Sequence, residues 1–208
     1  MLYATRAEAG RELASSLGHL RGTDPLVLGL PRGGVPVAAE VADALDADLD
    51  VIVVRKLGLP WQPELAMGAI GEGGVRVLND DVIAQSRVSR LALASVEATE
   101  RRELERRVRM LRGDRPPIAL AGRTVVIVDD GMATGATAAV ACRVARAQDP
   151  ARLVVAMPVS SQEAMTRLAG EADEVVCPMV PRWLGGVGGA YRDFHQLTDQ
   201  EVRVALGT

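Results

Sequence analysis

Val125-Val126-Ile127-Val128-Asp129-Asp130-Gly131-Met132-Ala133-Thr134-Gly135-Ala136-Thr137 runs four branched apolar residues into two adjacent carboxylates and then into a loop of glycine and threonine. A continuous β-branched run is the mark of a strand buried on both faces of a parallel sheet. Ligands of open α/β sheets sit beyond the carboxyl ends of such strands, which is where Asp129 and Asp130 fall. Gly131 and Gly135 let backbone N–H groups approach an anion, and Thr134 and Thr137 add hydroxyl donors. The apolar-periodic segment after Thr137 predicts a helix whose positive end faces the same anion. Carboxylates beside a phosphate cradle repel the phosphate unless they face another part of the ligand, and vicinal hydroxyls suit them as donors. A ribose 5-phosphate has both ends.

The rest of the chain repeats the alternation. Strands are predicted at Leu26–Leu30, Asp50–Val54, Leu153–Met157 and Glu174–Cys177, with helices at Arg6–Leu20, Val35–Leu45, Asp80–Arg112, Thr137–Ala147 and Ser161–Ala169. Short strands are expected at Leu65–Ile70 and Val75–Leu78, on either side of the turn Gly71-Glu72-Gly73-Gly74. Strands alternating with helices imply right-handed crossovers and an open, mostly parallel sheet flanked by helices, an α/β fold. One domain over 1–208 is expected, with a core of about 22–177 and a terminal appendage of about 178–208 to which the N-terminus contributes.

The bulk numbers narrow the function. A chain of 208 residues with 48% hydrophobic residues and a mean hydropathy of +0.12 has material for a real core. Aromatics make up 2% and the net charge is -3, so neither stacking platforms nor a field attractive to polyanions is expected, and a nucleic-acid partner is disfavoured. Two histidines do not build a zinc cluster, and Cys142 and Cys177 read as buried free thiols. Without a signal-like start or an apolar run of about 20 residues, the expected location is cytoplasmic, with no membrane partner.

Asp129 to Thr137 resembles the phosphoribosyl-diphosphate (PRPP) motif of type I phosphoribosyltransferases. The resemblance implies that the acid pair Asp129 and Asp130 holds the ribose hydroxyls and meets Mg²⁺ indirectly. It also implies that the loop Gly131, Met132, Ala133, Thr134, Gly135, Ala136 and Thr137 holds the 5-phosphate. The family usually places an aliphatic residue where Gly131 stands, a change expected to loosen the loop. Its 6-oxopurine members carry an aspartate where Ala133 stands, which turns the reading away from hypoxanthine or guanine as acceptor. The turn Pro31-Arg32-Gly33-Gly34 offers a guanidinium and consecutive glycines to an anion; in this family it matches the pyrophosphate loop, often with a non-proline cis peptide beside the basic residue.

Arg55 and Lys56, expected to close the second strand, match the basic residues that touch PRPP phosphates. The Gly/Pro-rich stretch Leu57–Gly74 matches a mobile lid, with Glu64 or Glu72 as a candidate acid/base group. The segment holding Trp183, Tyr191, Asp193 and Phe194 resembles the variable hood that grips the base. The segments Arg55-Lys56-Leu57-Gly58, Pro63-Glu64-Leu65-Ala66 and Tyr191-Arg192-Asp193-Phe194 are shared with a bacterial group described only as predicted phosphoribosyltransferases. The implied activity is PRPP-dependent phosphoribosyl transfer to a nitrogenous base with release of pyrophosphate, with a homo-oligomer, a dimer, as the expected assembly. The alternatives are a PRPP-sensing regulatory protein without turnover and a generic nucleotide-binding domain. The Arg/Glu helix around Arg101, Arg102, Arg106 and Arg107 reads as a salt-bridged outer face rather than a nucleic-acid surface.

Overall fold

The computed structural model describes residues 2–208. Its parallel sheet contains β1 (Pro25–Gly29), β2 (Asp48–Val51), β6 (Thr124–Val128), β7 (Arg152–Ala156) and β8 (Glu174–Val176), in the order β2-β1-β6-β7-β8. Every pairing is parallel, with Gly29 opposite Val51 on one side and Val128 on the other. Because successive side chains of a strand alternate faces, the apolar runs feed two cores. Leu26, Leu28, Val125, Ile127, Leu153 and Val155 pack beneath α5 (Ala136–Arg146) and α6 (Gln162–Leu168). Val27, Val126, Val128 and Val154 pack beneath α1 (Arg6–Ser16) and α2 (Gly34–Leu45). Each such buried aliphatic contributes about 1.5–3 kcal/mol relative to exposure.

A second, antiparallel sheet is built from the stretch read as a lid: it contains the two short strands expected at Leu65–Ile70 and Val75–Leu78 and adds one at Arg55–Leu59 that was not expected. β3 (Arg55–Leu59), β4 (Gln62–Ile70) and β5 (Arg76–Leu78) pair in that order. Leu57, Leu59, Met67 and Ile70 are buried against Leu104 and Leu111 of α4 (Arg90–Arg112) and against Val202 and Leu206 at α7 (Asp199–Ala205). Gly58, Pro60 and Pro63 masked β3 and the start of β4 in the sequence. Arg55 and Lys56 therefore open β3 instead of closing β2, which ends at Val51.

Two further boundaries differ. The expected helix Asp80–Arg112 is broken into α3 (Asp80–Ser86) and α4, because Arg87 turns left-handed (φ 53°) and Ser89 caps the new helix by accepting from Ala92 N. The terminal appendage also divides. Residues 187–194 join the N-terminus through Tyr3 N to Ala190 O (2.9 Å) and Arg192 N to Tyr3 O (2.9 Å), while α7 leaves to pack on the second sheet. At the end of α4 the buried Arg112 ties the sheets together. It donates to Asp50 (2.8 Å), to Val51 O (3.1 Å) and to both oxygens of Glu72.

Candidate active site

The chain leaves β1 toward β2 on one side and later returns as β6 on the other, so the ends of β1 and β6 form a topological switch point, the usual place for a ligand in this architecture. Leu30 N donates to Val128 O (2.8 Å), which seats the turn after β1 directly against the acid pair after β6. The contact is too close for side chains. A Cβ on Gly33 would overlap the Asp130 carboxylate, and one on Gly34 would lie 2.8 Å from Asp129 Cα. Gly34 is required by backbone approach and Gly33 by the Asp130 carboxylate. The Pro31–Arg32 peptide is cis, as the family resemblance suggests.

Helix capping marks the same place. Of the seven α-helices among the described residues, five have a side-chain N-cap, from Thr5, Asn79, Ser89, Ser161 and Thr198. The two without one, α2 after Gly33 and α5 after Gly135, start at the switch point. At α2 the first two N–H groups are already taken, Gly34 N by Leu30 O (3.0 Å) and Val35 N by Arg32 O (3.3 Å), and at α5 Ala136 N donates to Thr134 Oγ1 (3.4 Å), so what both ends hold toward an anion is the positive end of the helix dipole.

The acid pair is asymmetric. Asp129 is partly exposed, and its Oδ1 accepts from Asp130 N (2.9 Å). Burial and then the neighbouring Asp130 charge push its pKa well above the ordinary carboxylate value. Asp130 is buried, and its Oδ2 accepts from Arg6 Nε at 2.8 Å. Burial raises its pKa, with the Arg6 hydrogen bond and charge opposing. Its carbonyl accepts from the Tyr191 hydroxyl.

Arg6 was missed by the sequence reading. It is buried in the first turn of α1, lies 4.1 Å from the centre of the Phe194 ring and donates to His195 O (3.1 Å). One signal was available: a cation in a helix's first turn opposes the dipole and needs a partner elsewhere. Through Arg6, Tyr3 and Tyr191, the N-terminus and the hood together grip the acid loop.

The loop residues separate into two sets. Met132 is buried and its backbone is spent, with its N–H on Val159 O (3.0 Å) and its carbonyl accepting from Ser161 N (2.9 Å). Gly131 is buried too, and an added Cβ would meet Val187 Cγ1 at 2.5 Å and Val159 Cγ1 at 2.8 Å. The hood's Val187 thus fills the space a family-typical aliphatic would take, so glycine here tightens the loop against the hood instead of loosening it. Ala133, Thr134, Ala136 and Thr137 are exposed, the set that solvent can reach.

Beside this loop opens a cleft of about 1020 Å³ that brings Arg32, Arg55, Lys56, Ala136 and Thr137 onto one surface. Each cation has a carboxylate partner: Arg32 with Asp199 (3.9 Å), Arg55 with Glu100 (2.6 Å) and Lys56 with Glu64 (3.2 Å). Glu64 stands on the cleft wall, whereas Glu72 is committed to Arg112 on the far side and does not line the cleft. Among the described residues no group of three or more His, Cys, Asp or Glu side chains converges as a metal cage. Mg²⁺ held mostly by phosphates needs only one or two protein carboxylates, and of the acid pair Asp129 is the one partly exposed to solvent. No helix is long and apolar enough to cross a membrane among the described residues.

Comparison with known proteins points the same way. A family model described as "Phosphoribosyl transferase domain" matches residues 2–192. Two Mycobacterium tuberculosis sequences, each named "Putative phosphoribosyl transferase", are 54% identical over 201 residues, 97% of this chain and 45% of their own length. The chain thus spans about half the length of the curated relatives it matches. The crystal structure of TT1426 from Thermus thermophilus is 46% identical with a TM-score of 0.91, over 99% of this chain and 98% of that one. The AQ2163 protein from Aquifex aeolicus, 14% identical with a TM-score of 0.51, covers 88% of this chain and 78% of its own and shares the fold alone.

Proposed function

Because the chain belongs to the phosphoribosyl transferase domain family, we propose that the switch-point loops and the adjoining cleft bind PRPP and transfer its phosphoribosyl group to a nitrogenous base. The observation that supports this most is the abutment of two loops. The positive N-terminal end of α5 and the exposed hydroxyls of Thr134 and Thr137 can receive a 5-phosphate, with Thr134 Oγ1 giving up the Ala136 N–H it accepts from (3.4 Å). In this reading the partly exposed Asp129 accepts from the ribose hydroxyls, the turn at Gly33 and Gly34 beside it meets the diphosphate, and Arg32, Arg55 and Lys56 reach the diphosphate from the cleft wall.

In this reading the bond from ribose C1 to the diphosphate oxygen breaks, pyrophosphate leaves with the bonding pair, and the base nitrogen bonds C1 and loses its proton to solvent. Ala133 supplies no acid or base for that proton. Positive charge develops on the ribose while negative charge collects on the leaving group, so fixed cations at the diphosphate end favour the transition state over the bound substrate. Mg²⁺, when bound with the diphosphate near Asp129, supplies further neutralisation of the departing oxygens. Asp130 positions: pinned by Arg6, it backs the pyrophosphate turn at Gly33 and leaves Asp129 as the acid that faces ligand.

The test is calorimetric binding of Mg²⁺-PRPP and of ribose 5-phosphate, followed by a screen of free bases for pyrophosphate release. Preferential PRPP binding with turnover on a base supports the proposal, and Asp129→Asn with Asp130→Asn is expected to abolish that turnover. Binding without turnover on any base would move the reading to a PRPP sensor, for which Ala133 is the one favouring feature. Equal affinity for PRPP and unrelated phosphosugars would refute both.

A further inference from the structure

The arginine-rich helix that the sequence presents as a solvated outer face does not lie wholly outside. α4 buries Leu104 and Leu111 against the second sheet, and that rotation turns Arg106, Arg107 and Met110 onto the wall of the cleft. Cleft charge is then unevenly matched. Arg32, Arg55 and Lys56 each face one carboxylate. Arg106 and Arg107 share a single one: Arg106 Nε lies 2.8 Å from Glu103 Oε2 and its second nitrogen 2.9 Å from Oε1, while Arg107 Nε lies 2.9 Å from the same Oε1. Lining the cleft are five cationic side chains and three carboxylates, on a chain whose net charge is -3.

We propose that Arg106 and Arg107 form a second anion clamp that takes the diphosphate of PRPP, and the pyrophosphate product, in exchange for Glu103. The proposal rests on the cleft being the PRPP site and adds two residues of α4 to it. Paired guanidiniums suit a diphosphate because each presents a planar fork of donors to phosphate oxygens. With side-chain exposures of 57% and 46%, both retain contact with solvent and can swing from Glu103 without unpacking the core. The ion pairs they would give up are exposed ones, which hold side chains weakly. Asp199, which pairs with Arg32 (3.9 Å), lines the same cleft as Arg106 and Arg107.

The experiment titrates the full chain with inorganic pyrophosphate and, separately, with ribose 5-phosphate, both with Mg²⁺ at fixed ionic strength. The Arg106→Gln/Arg107→Gln variant is expected to lose about tenfold or more in pyrophosphate affinity, with ribose 5-phosphate affinity and thermal midpoint unchanged. Glu103→Gln is expected to tighten pyrophosphate binding, a gain that a merely structural role for this helix face would not produce. Pyrophosphate affinity unchanged in the double variant, or equal losses for both ligands, would overturn the clamp while leaving the proposed function standing. Failure of the unmodified chain to bind either ligand would instead overturn the reading of the cleft, and the clamp with it.

Discussion

Replacing Arg6 by Met keeps the long apolar stem that packs in the first turn of α1 but removes the charge that partners the buried Asp130. Removing one member of a buried ion pair costs about 3–5 kcal/mol, because the other charge is left in a poorly solvated site. Loss of the cation above the Phe194 ring adds about 0.5–2 kcal/mol. For a chain of this size about 2–4 °C of thermal midpoint goes with each kcal/mol, so the pair alone predicts a fall of about 6–20 °C at neutral pH.

The pH dependence has a definite sign. Burial already holds the Asp130 carboxyl above its ordinary range, and Arg6 opposes that rise. Without Arg6 the folded-state pKa climbs further. A carboxyl whose folded pKa exceeds its unfolded one contributes stability that is present at acid pH and lost as pH rises through the folded value. The deficit of Arg6→Met is therefore largest at neutral pH and shrinks toward the ordinary carboxylate range. Thermal unfolding of Arg6→Met, Asp130→Asn and the double variant across pH checks this, and the double variant is expected to recover most of the loss. A neutral-pH loss below about 1 kcal/mol, or one unchanged in the Asp130→Asn background, would refute the coupling.

Other expectations follow from the same geometry. Gly131→Val should destabilise by about 1–3 kcal/mol through overlap with Val187 and Val159, and Val187→Ala should relieve part of it in a double-mutant cycle by denaturant unfolding. Asp129→Asn should raise the thermal midpoint at neutral pH, where the raised pKa makes the ionised carboxyl a burden, and show no gain at acid pH; PRPP binding measured on the same protein should fall. Arg112→Met should cost about 3–5 kcal/mol because Asp50 and Glu72 lose their shared partner, which chemical denaturation would register. Gly33→Ala should weaken PRPP binding with little change in helix content by circular dichroism, since its Cβ would displace the Asp130 carboxylate.

The parallel sheet was legible because its strands are buried on both faces and so read as unbroken β-branched runs, of which Val125–Val128 is the clearest. The acid pair and the glycines of both loops were legible for a related reason: backbone crowding at the switch point admits few residue types. Of the second sheet, β4 and β5 were legible as short strands on either side of the Gly71–Gly74 turn, whereas β3 and the start of β4 were not, because Gly58, Pro60 and Pro63 fall at the bulge and the hairpin tip. Nor was the grip of Arg6 on Asp130, which joins residues 124 positions apart. Local patterns report what a segment buries, whereas the partner of one buried charge depends on how the ends of the chain come together. Arg106 and Arg107 illustrate the converse. Their spacing to Glu103 fits a solvated helix face, and only the packing of α4 on β3 turns that face toward the cleft.

A crystal structure with ribose 5-phosphate bound tests the central claim most directly. The account predicts phosphate oxygens within hydrogen-bonding distance of the backbone amides and hydroxyls between Thr134 and Thr137, with the ribose hydroxyls against Asp129. A phosphate seated elsewhere on the molecule, with the loop after Asp130 left untouched, would contradict it.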